Sequence, residues 1–211
     1  MASEGSNRRP TGGRRLGLRL AGFVRWLHTY LSMFSLAALL FFSLTGITLN
    51  HPRLFFDGVA TSVEAEGQLD ADWVGEGPED RVKKLEVVEQ LRKDHGIRGA
   101  LSSFTIDDEE CVVTFKGPAY SADAFIQRAD GRYRVIEDRQ GLIAVLNDLH
   151  KGRDTGPVWS AVIDISAALT ALVSVTGLLL LFYIKRRRTA GLLMALVGTV
   201  LLMVAFLMGV R

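Results

Sequence analysis

Residues 23–49 read FVRWLHTYLSMFSLAALLFFSLTGITL, a nearly unbroken apolar run. At about 1.5 Å per residue, a helix of this length crosses a hydrocarbon core of about 30 Å. A cleavable signal peptide has a shorter apolar region and a small-residue cleavage site, whereas this run continues into Asn50-His51-Pro52. The sequence therefore predicts a retained transmembrane helix over residues 23–49.

Two further apolar runs predict transmembrane helices over residues 158–184 and 192–208. The loop between them, residues 185–191, contains four consecutive basic residues. The third helix carries no ionisable side chain before Arg211, so we expect a packing or anchoring helix without a catalytic group.

Basic residues are concentrated beside the predicted helices. The first 25 residues carry six arginines and one acid. The positive-inside rule places residues 1–22 and the 185–191 loop in the cytoplasm. Residues 50–157 then lie on the opposite side, as does Arg211.

The chain has 25 basic and 23 acidic residues, but residues 51–157 hold 21 acids and 14 bases. A net charge of −7 in this segment is typical of a solvated domain and argues against binding to nucleic acid. The single cysteine, Cys111, excludes an internal disulfide. We interpret Cys111 as a buried strand residue, with a reactive or intermolecular thiol as the alternative.

The segment between the first two spans reads as a small α+β domain. Residues 53–78 suggest an irregular connection, and an amphipathic helix is predicted from residue 79 to a stop at Gly96. Residues 139–150 return to helix, and we expect the helices to cover one face of an antiparallel sheet. Three or four strands are predicted, at residues 100–106, 111–116, 122–128 and 132–136, and Asp130-Gly131 predicts a tight hairpin turn between the last two.

Several short motifs resemble the PepSY-associated transmembrane (PepSY_TM-like) family. They are Arg25-Trp26-Leu27-His28, Leu44-Thr45-Gly46, Asn50-His51-Pro52, Leu149-His150-Lys151-Gly152-Arg153-Asp154-Thr155-Gly156 and the later pair Thr176-Gly177. The resemblance implies a PepSY-like α+β domain inserted between transmembrane helices 1 and 2. Larger relatives are thought to include inner-membrane reductases that carry b-type haem on transmembrane histidines and act on iron-siderophore complexes. This chain is shorter, with three predicted spans and four histidines.

His51 and His150 are the first candidates for haem ligands. Imidazole is a good axial ligand for haem iron, and a bis-histidine site needs two rings at similar depth. His51 follows the first span and His150 precedes the second, on the same predicted side. Alternatively, both rings lie at the membrane interface without a ligand, and His150 interacts favourably with the end of its helix.

The other two histidines have weaker arguments for ligation. His28 lies near the basic end of the first span, so a second haem there would need a non-histidine ligand or another protomer. The alternative for His28 is a hydrogen bond to Tyr30, Ser32 or another helix. His95 precedes Gly96, and we interpret it as a surface residue that caps its helix.

Asp164 lies about two turns into the second span, where a carboxylate needs a partner or a polar cavity. It could form an ion pair with Arg153, Lys151 or Arg53, or serve as an outer-shell acceptor for a haem-ligating histidine. Trp26 and Trp159 are expected to be interfacial anchors. Gly46 and Gly177 predict a close contact between spans one and two, through helix packing or beside a flat macrocycle.

Two functions remain open at this point. The first is electron transfer through haem b in the bacterial inner membrane, serving reduction of a ferric or siderophore substrate or of a redox partner at the periplasmic face. The second is a cofactor-free, membrane-anchored regulatory module that binds a peptide or periplasmic protein by strand addition. We find no catalytic triad or metal-ligand cluster that would indicate a hydrolase.

Overall fold

The structure is a computed structural model that describes residues 12–55, 61–75, 81–184 and 186–209. The chain divides into two compact units. One comprises Met1–Leu39 with Ile165–Arg211, and the other comprises Leu40–Asp164. The predicted fold class is confirmed, because three long apolar helices accompany a five-stranded antiparallel sheet that lies between the first and second helices in the sequence.

The three helices are α1 (Gly12–Asn50), α6 (Gly156–Tyr183) and α7 (Arg188–Gly209). Each is long and apolar enough to cross a membrane, and most of their large apolar side chains are exposed. This exposure is expected for side chains whose solvent is lipid. The chain is therefore a multi-pass membrane protein in contact with a bilayer.

Helix α1 begins eleven residues before the predicted span. Its 39 residues correspond to about 58 Å, roughly twice a hydrocarbon core. Arginine and leucine are both good helix formers, so the basic segment continues the helix although it is too polar for the hydrocarbon. The N-terminal residues 1–11, the basic residue Lys185 and the predicted external residue Arg211 lie outside the described residues.

The second unit contains the sheet, whose strand order is β1-β5-β4-β3-β2 with antiparallel pairing throughout. The strands are β1 (Thr61–Gln68), β2 (Ala100–Ile106), β3 (Glu110–Gly117), β4 (Tyr120–Gln127) and β5 (Arg132–Arg139). The predicted turn at Asp130-Gly131 is present. Gly131 has φ +74°, and a Cβ there would overlap the carbonyl oxygen of Leu69, so this turn requires glycine.

The apolar core lies between one face of the sheet and helix α4 (Lys84–His95). Alternate residues of β3 are fully buried, as the period-two pattern predicts, and Cys111 is among them. Gly96 ends α4 in the left-handed conformation with φ +66°, which confirms the predicted stop. The core residues are Leu69, Val74, Val82, Val87, Val88, Leu91, Ile97, Cys111, Val113, Phe115, Ala122, Ala124, Ile126, Tyr133 and Val135.

The prediction of an irregular connection over residues 53–78 is wrong for the part that the structure describes, residues 53–55 and 61–75. This segment contains the short helices α2 (Pro52–Phe55) and α3 (Ala71–Val74), with β1 between them. Strand β1 has no buried residue, so its sequence gives no hydrophobic signal. Its backbone hydrogen bonds to the neighbouring strand β5 hold it at the edge of the sheet, and that pairing exists only in the tertiary structure.

Helix α5 (Leu142–Lys151) does not share the predicted role of covering the sheet. Its buried residues are Ala144 and Asn147, and neither belongs to the apolar core. Instead, Thr48 on α1 lies 2.6 Å from Asn147 Oδ1, and the Asp148 carboxylate accepts the Ala119 N–H at 2.8 Å. Helix α5 therefore connects the β3–β4 turn to the end of α1.

Candidate functional site

The first candidate site is formed where α5 meets α1. His150 Nδ1 lies 2.6 Å from Thr45 Oγ1, and the His150 ring packs edge-on against Phe42 with centroids 5.2 Å apart. The nearest atom to a Cβ built on Gly46 would be His150 Cε1, at 3.6 Å. The half-buried imidazole is thus held by a hydroxyl on one side and rests over a glycine.

The second candidate site lies between α1 and α6. His28 Nδ1 is 2.9 Å from Thr176 Oγ1, and a Cβ on Gly177 would be 3.2 Å from His28 Cε1. A residue larger than glycine at position 177 would push the ring away. This confirms the predicted close contact between spans one and two at Gly177, and it supports the alternative that His28 bonds to another helix.

The two sites repeat one arrangement. In each, a half-buried histidine lies against a Thr-Gly dipeptide of a different helix, Thr45-Gly46 or Thr176-Gly177. Each hydroxyl is anchored to its own helix, since Thr45 donates to Phe41 O at 2.7 Å and Thr176 lies 2.9 Å from Leu172 O. Threonine commonly donates to the carbonyl four residues earlier in a helix. Each imidazole ring is therefore held by a threonine hydroxyl whose position is set by a hydrogen bond to its own helix backbone.

His51 lies one residue beyond α1 with its side chain exposed. Its backbone N–H bonds to Ile47 O at 3.2 Å, and no hydrogen bond or ring contact in the described part of the chain joins it to His150. The structure places both residues in the unit Leu40–Asp164. Their pairing across one macrocycle stays a prediction.

Asp164 and Arg153 are both exposed, and the salt bridges of the described residues include neither. Their ion pair stays a prediction. Arg153 instead contributes its backbone N–H, which bonds to Asp148 O at 3.0 Å. Trp159 donates from Nε1 to Leu149 O at 2.7 Å, so it connects the start of α6 to α5 in addition to any anchoring role.

His95 lies in the last turn of α4 and is partly exposed, so its interpretation as a capping residue stays a prediction. Its Nε2 lies 2.9 Å from the hydroxyl of buried Tyr133, and the two rings meet edge to face. Burial and the nearby Asp94 carboxylate raise the pKa of Tyr133 above its ordinary value. Burial likewise raises the pKa of the Cys111 thiol, which disfavours the reactive thiolate.

Sequence reasoning missed the residues that hold the histidines. Thr45 and Thr176 belong to short sequence motifs, but a threonine in an apolar helix gives no sign of its partner on a distant segment. It also missed Asn147, whose buried amide nitrogen has no partner in the described structure. Exchanging the amide O and N would let Asn147 donate to Thr48, whose hydroxyl also lies 2.8 Å from Thr45 O.

Within the described residues, no group of three or more His, Cys, Asp or Glu side chains could hold a metal ion. The candidate ligands are single imidazoles at separate positions. In both His28 and His150, Nδ1 lies at a threonine hydroxyl, and Nε2 has no hydrogen bond within the described residues. This arrangement suits a ligand whose remaining bonds come from another source, such as a macrocycle.

Comparison with known proteins gives one match. No curated protein and no solved structure matches the chain. The model of the family described as "Putative PepSY_TM-like" matches residues 22–211, which include most of α1, all of α6 and α7, the sheet and both Thr-Gly pairs. The chain therefore belongs to the PepSY_TM-like family.

Proposed function

We propose that this membrane protein is an electron carrier that holds a b-type haem at His150, with His51 as the second axial ligand. The observation that carries the proposal is the His150 imidazole, anchored at Nδ1 by Thr45 and resting over Gly46. A ring that is held at Nδ1 has a fixed orientation, and its other nitrogen, Nε2, is left to bind a ligand. Second-shell hydrogen bonds of this kind orient metal-ligating histidines.

The residues present fit the group at this position. Neutral imidazole is a standard axial ligand of haem iron, and Gly46 lets the His150 ring lie close against α1. His51 is exposed at the same end of α1 and has no described side-chain partner, so its imidazole is available. Haem supplies one-electron exchange between ferric and ferrous iron, and this chain's residues hold and orient the ligating ring.

His28 supports a second position of the same kind. Its ring is held by Thr176 and lies over Gly177 in the same manner as His150 over Gly46. A six-coordinate haem at His28 would take its other axial ligand from a non-histidine side chain or from another protomer. The first position does not depend on this second one.

The charge pattern supports a bacterial inner-membrane location with the N-terminus in the cytoplasm and the α+β domain in the periplasm. Electrons would then be delivered at the periplasmic face, where a ferric or siderophore compound or a redox protein partner would accept them. The acidic domain, with its net charge of −7 over residues 51–157, would favour acceptors that carry positive charge.

A cofactor-free module that binds a peptide or protein is the second candidate, and the edge strand β2 favours it. Strand β2 pairs with β3 on one side, and in the described structure its other edge is open to a further strand. A bulge between Leu101 and Ser103 interrupts the ladder, which is a common way of blunting an exposed edge. Two pockets on the described part of the domain are lined largely by charged and polar residues, which does not favour an apolar peptide groove at those positions.

The proposal is tested by a reduced-minus-oxidised visible spectrum of the detergent-purified chain, expressed with ample haem. Wild-type protein is compared with His150→Ala, His51→Ala and His28→Ala. His95→Ala is the matched control, because His95 contacts Tyr133 in the soluble domain and lies in neither candidate site.

A b-type spectrum that is lost in His150→Ala and His51→Ala and kept in His95→Ala supports the proposed site. If the spectrum is lost only in His28→Ala, the haem is assigned to the second position, at His28. A colourless wild-type protein refutes the redox function and leaves the binding module, for which the β2 edge is the surface to probe.

A further inference from the structure

The hydroxyl groups of Thr45 and Thr176 each lie within hydrogen-bonding distance of two or more polar atoms, but each hydroxyl has a single proton to donate. Thr45 Oγ1 lies 2.7 Å from Phe41 O and 2.6 Å from His150 Nδ1. The carbonyl oxygen only accepts hydrogen bonds, so the proton between Thr45 and Phe41 must come from the threonine. The hydroxyl then has no second proton for the histidine.

The short contact between Thr45 and His150 is a hydrogen bond only if the histidine donates. The alternative points the hydroxyl proton at Nδ1 and leaves two oxygen lone pairs facing each other at 2.7 Å. With the proton on Nδ1, both contacts are satisfied at once. Neutral imidazole carries one N–H, so Nε2 of His150 is then unprotonated.

The same reasoning applies independently at the second site. Thr176 Oγ1 lies 2.9 Å from Leu172 O, 3.0 Å from Val173 O and 2.9 Å from His28 Nδ1. Its single proton goes to a backbone carbonyl. His28 therefore donates from Nδ1 and also keeps Nε2 unprotonated.

We propose that Thr45 and Thr176 are positioning residues that hold His150 and His28 as Nδ1–H tautomers and so leave Nε2 as the atom that binds iron. The statement that Nε2 binds iron rests on the proposed function. The statement about the tautomer concerns the protein without haem and does not depend on it. A metal-binding nitrogen must be unprotonated, and the hydrogen bond at the other nitrogen decides which one is free.

Helix packing alone explains only part of this arrangement. Threonine in an apolar helix often bonds to a carbonyl one turn earlier, so the contacts to Phe41 and Leu172 need no further reason. Packing does not require that both hydroxyls also meet an imidazole at Nδ1, beside glycine each time. The repeated combination points to control of the ring's proton and orientation.

The test is nitrogen NMR of the full-length, haem-free chain labelled with ¹⁵N-histidine in nanodiscs. The sample is held about two pH units above the ordinary imidazole pKa of about 6.5, so that free rings are neutral. Protonated and unprotonated ring nitrogens give well-separated resonances. Thr45→Val, Thr176→Val and the matching serine variants are compared, and single His→Ala variants assign the signals.

We expect His150 and His28 to be Nδ1–H in the wild type. Thr45→Val should change the tautomer of His150 only, and Thr176→Val should change the tautomer of His28 only. Each variant is therefore the control for the other. Serine keeps the hydroxyl and should preserve the tautomer. The inference is overturned if either ring is Nε2–H in the wild type, or if valine leaves the tautomer of its own histidine unchanged.

Haem affinity provides a second measurement. Loss of an outer-shell partner typically weakens metal binding by about 10- to 100-fold, so Thr45→Val should weaken haem binding at His150 by that factor, with recovery in Thr45→Ser. If haem binds equally well to both variants, the positioning role is refuted and the proposed function stands. If the wild type binds no haem while the tautomers follow the pattern above, the proposed function fails and the threonine assignment stands.

Discussion

Arg128 is a buried charged residue of the domain, and its replacement by methionine should destabilise the domain strongly. The side chain is 95% buried, since its relative exposure is 5%. Among the described residues, its guanidinium donates to three backbone carbonyls, at 3.0 Å to Val74, 2.9 Å to Asp107 and 2.8 Å to Gly75. Arg128 thus joins the end of α3 and the β2–β3 turn to the end of β4.

Methionine fills much of the same volume but donates no hydrogen bond, so three carbonyl oxygens lose a charged donor. A buried acceptor left without its partner costs about 1 to 3 kcal/mol, and we take the low end because some carbonyls will reach water. The free energy of unfolding should therefore fall by about 3 kcal/mol. At about 1.4 kcal/mol per tenfold change, this raises the population of the open domain by roughly 150-fold.

The single cysteine makes this measurable in the intact membrane protein. Cys111 is fully buried, so a thiol reagent labels it only when the domain opens, and the labelling rate follows the open population when closing is fast. Arg128→Met should label roughly 150-fold faster than wild type. The control is Arg132→Met, because Arg132 is exposed and its ion pair with Asp130 is worth little. Equal labelling rates in the two variants would refute the assigned role of Arg128.

Three further predictions concern the same domain. Gly131→Ala should destabilise it by about 2 kcal/mol, because φ is +74° and the new Cβ overlaps Leu69 O. The control is Gly141→Ala, whose Cβ meets no atom and which should leave the rate of Cys111 labelling nearly unchanged. The raised pKa of Tyr133 stabilises the fold below the ordinary value of 10, and this stability should be lost as pH rises through the higher folded pKa. Tyr133→Phe should remove that alkaline loss in a denaturant series followed by circular dichroism, and an unchanged pH profile would contradict the assignment. Asp148→Ala should release the Ala119 N–H and speed its hydrogen exchange at least tenfold, while Asp108→Ala, in an exposed turn, should not.

The sequence by itself determined the membrane helices and most of the soluble domain. A run such as residues 23–49 has few alternatives, because no other structure satisfies its backbone within lipid. The alternation around Cys111 predicted a buried strand, and Gly96 and Gly131 marked a helix end and a turn because both adopt positive φ. Each of these signals is local, since it depends on residues within one or two turns of chain.

Only the tertiary structure decided the features that join distant parts of the chain. Strand β1 is polar and exposed, so its pairing with β5 could not be read from its composition. Thr45 and His150 are separated by 104 other residues, and Thr176 and His28 by 147, yet both pairs meet within hydrogen-bonding distance. A hydroxyl in an apolar helix satisfies itself on its own backbone, so it gives no local signal of a second partner. Which imidazole nitrogen faces that hydroxyl is decided only in the tertiary structure, where the two helices bring the side chains together.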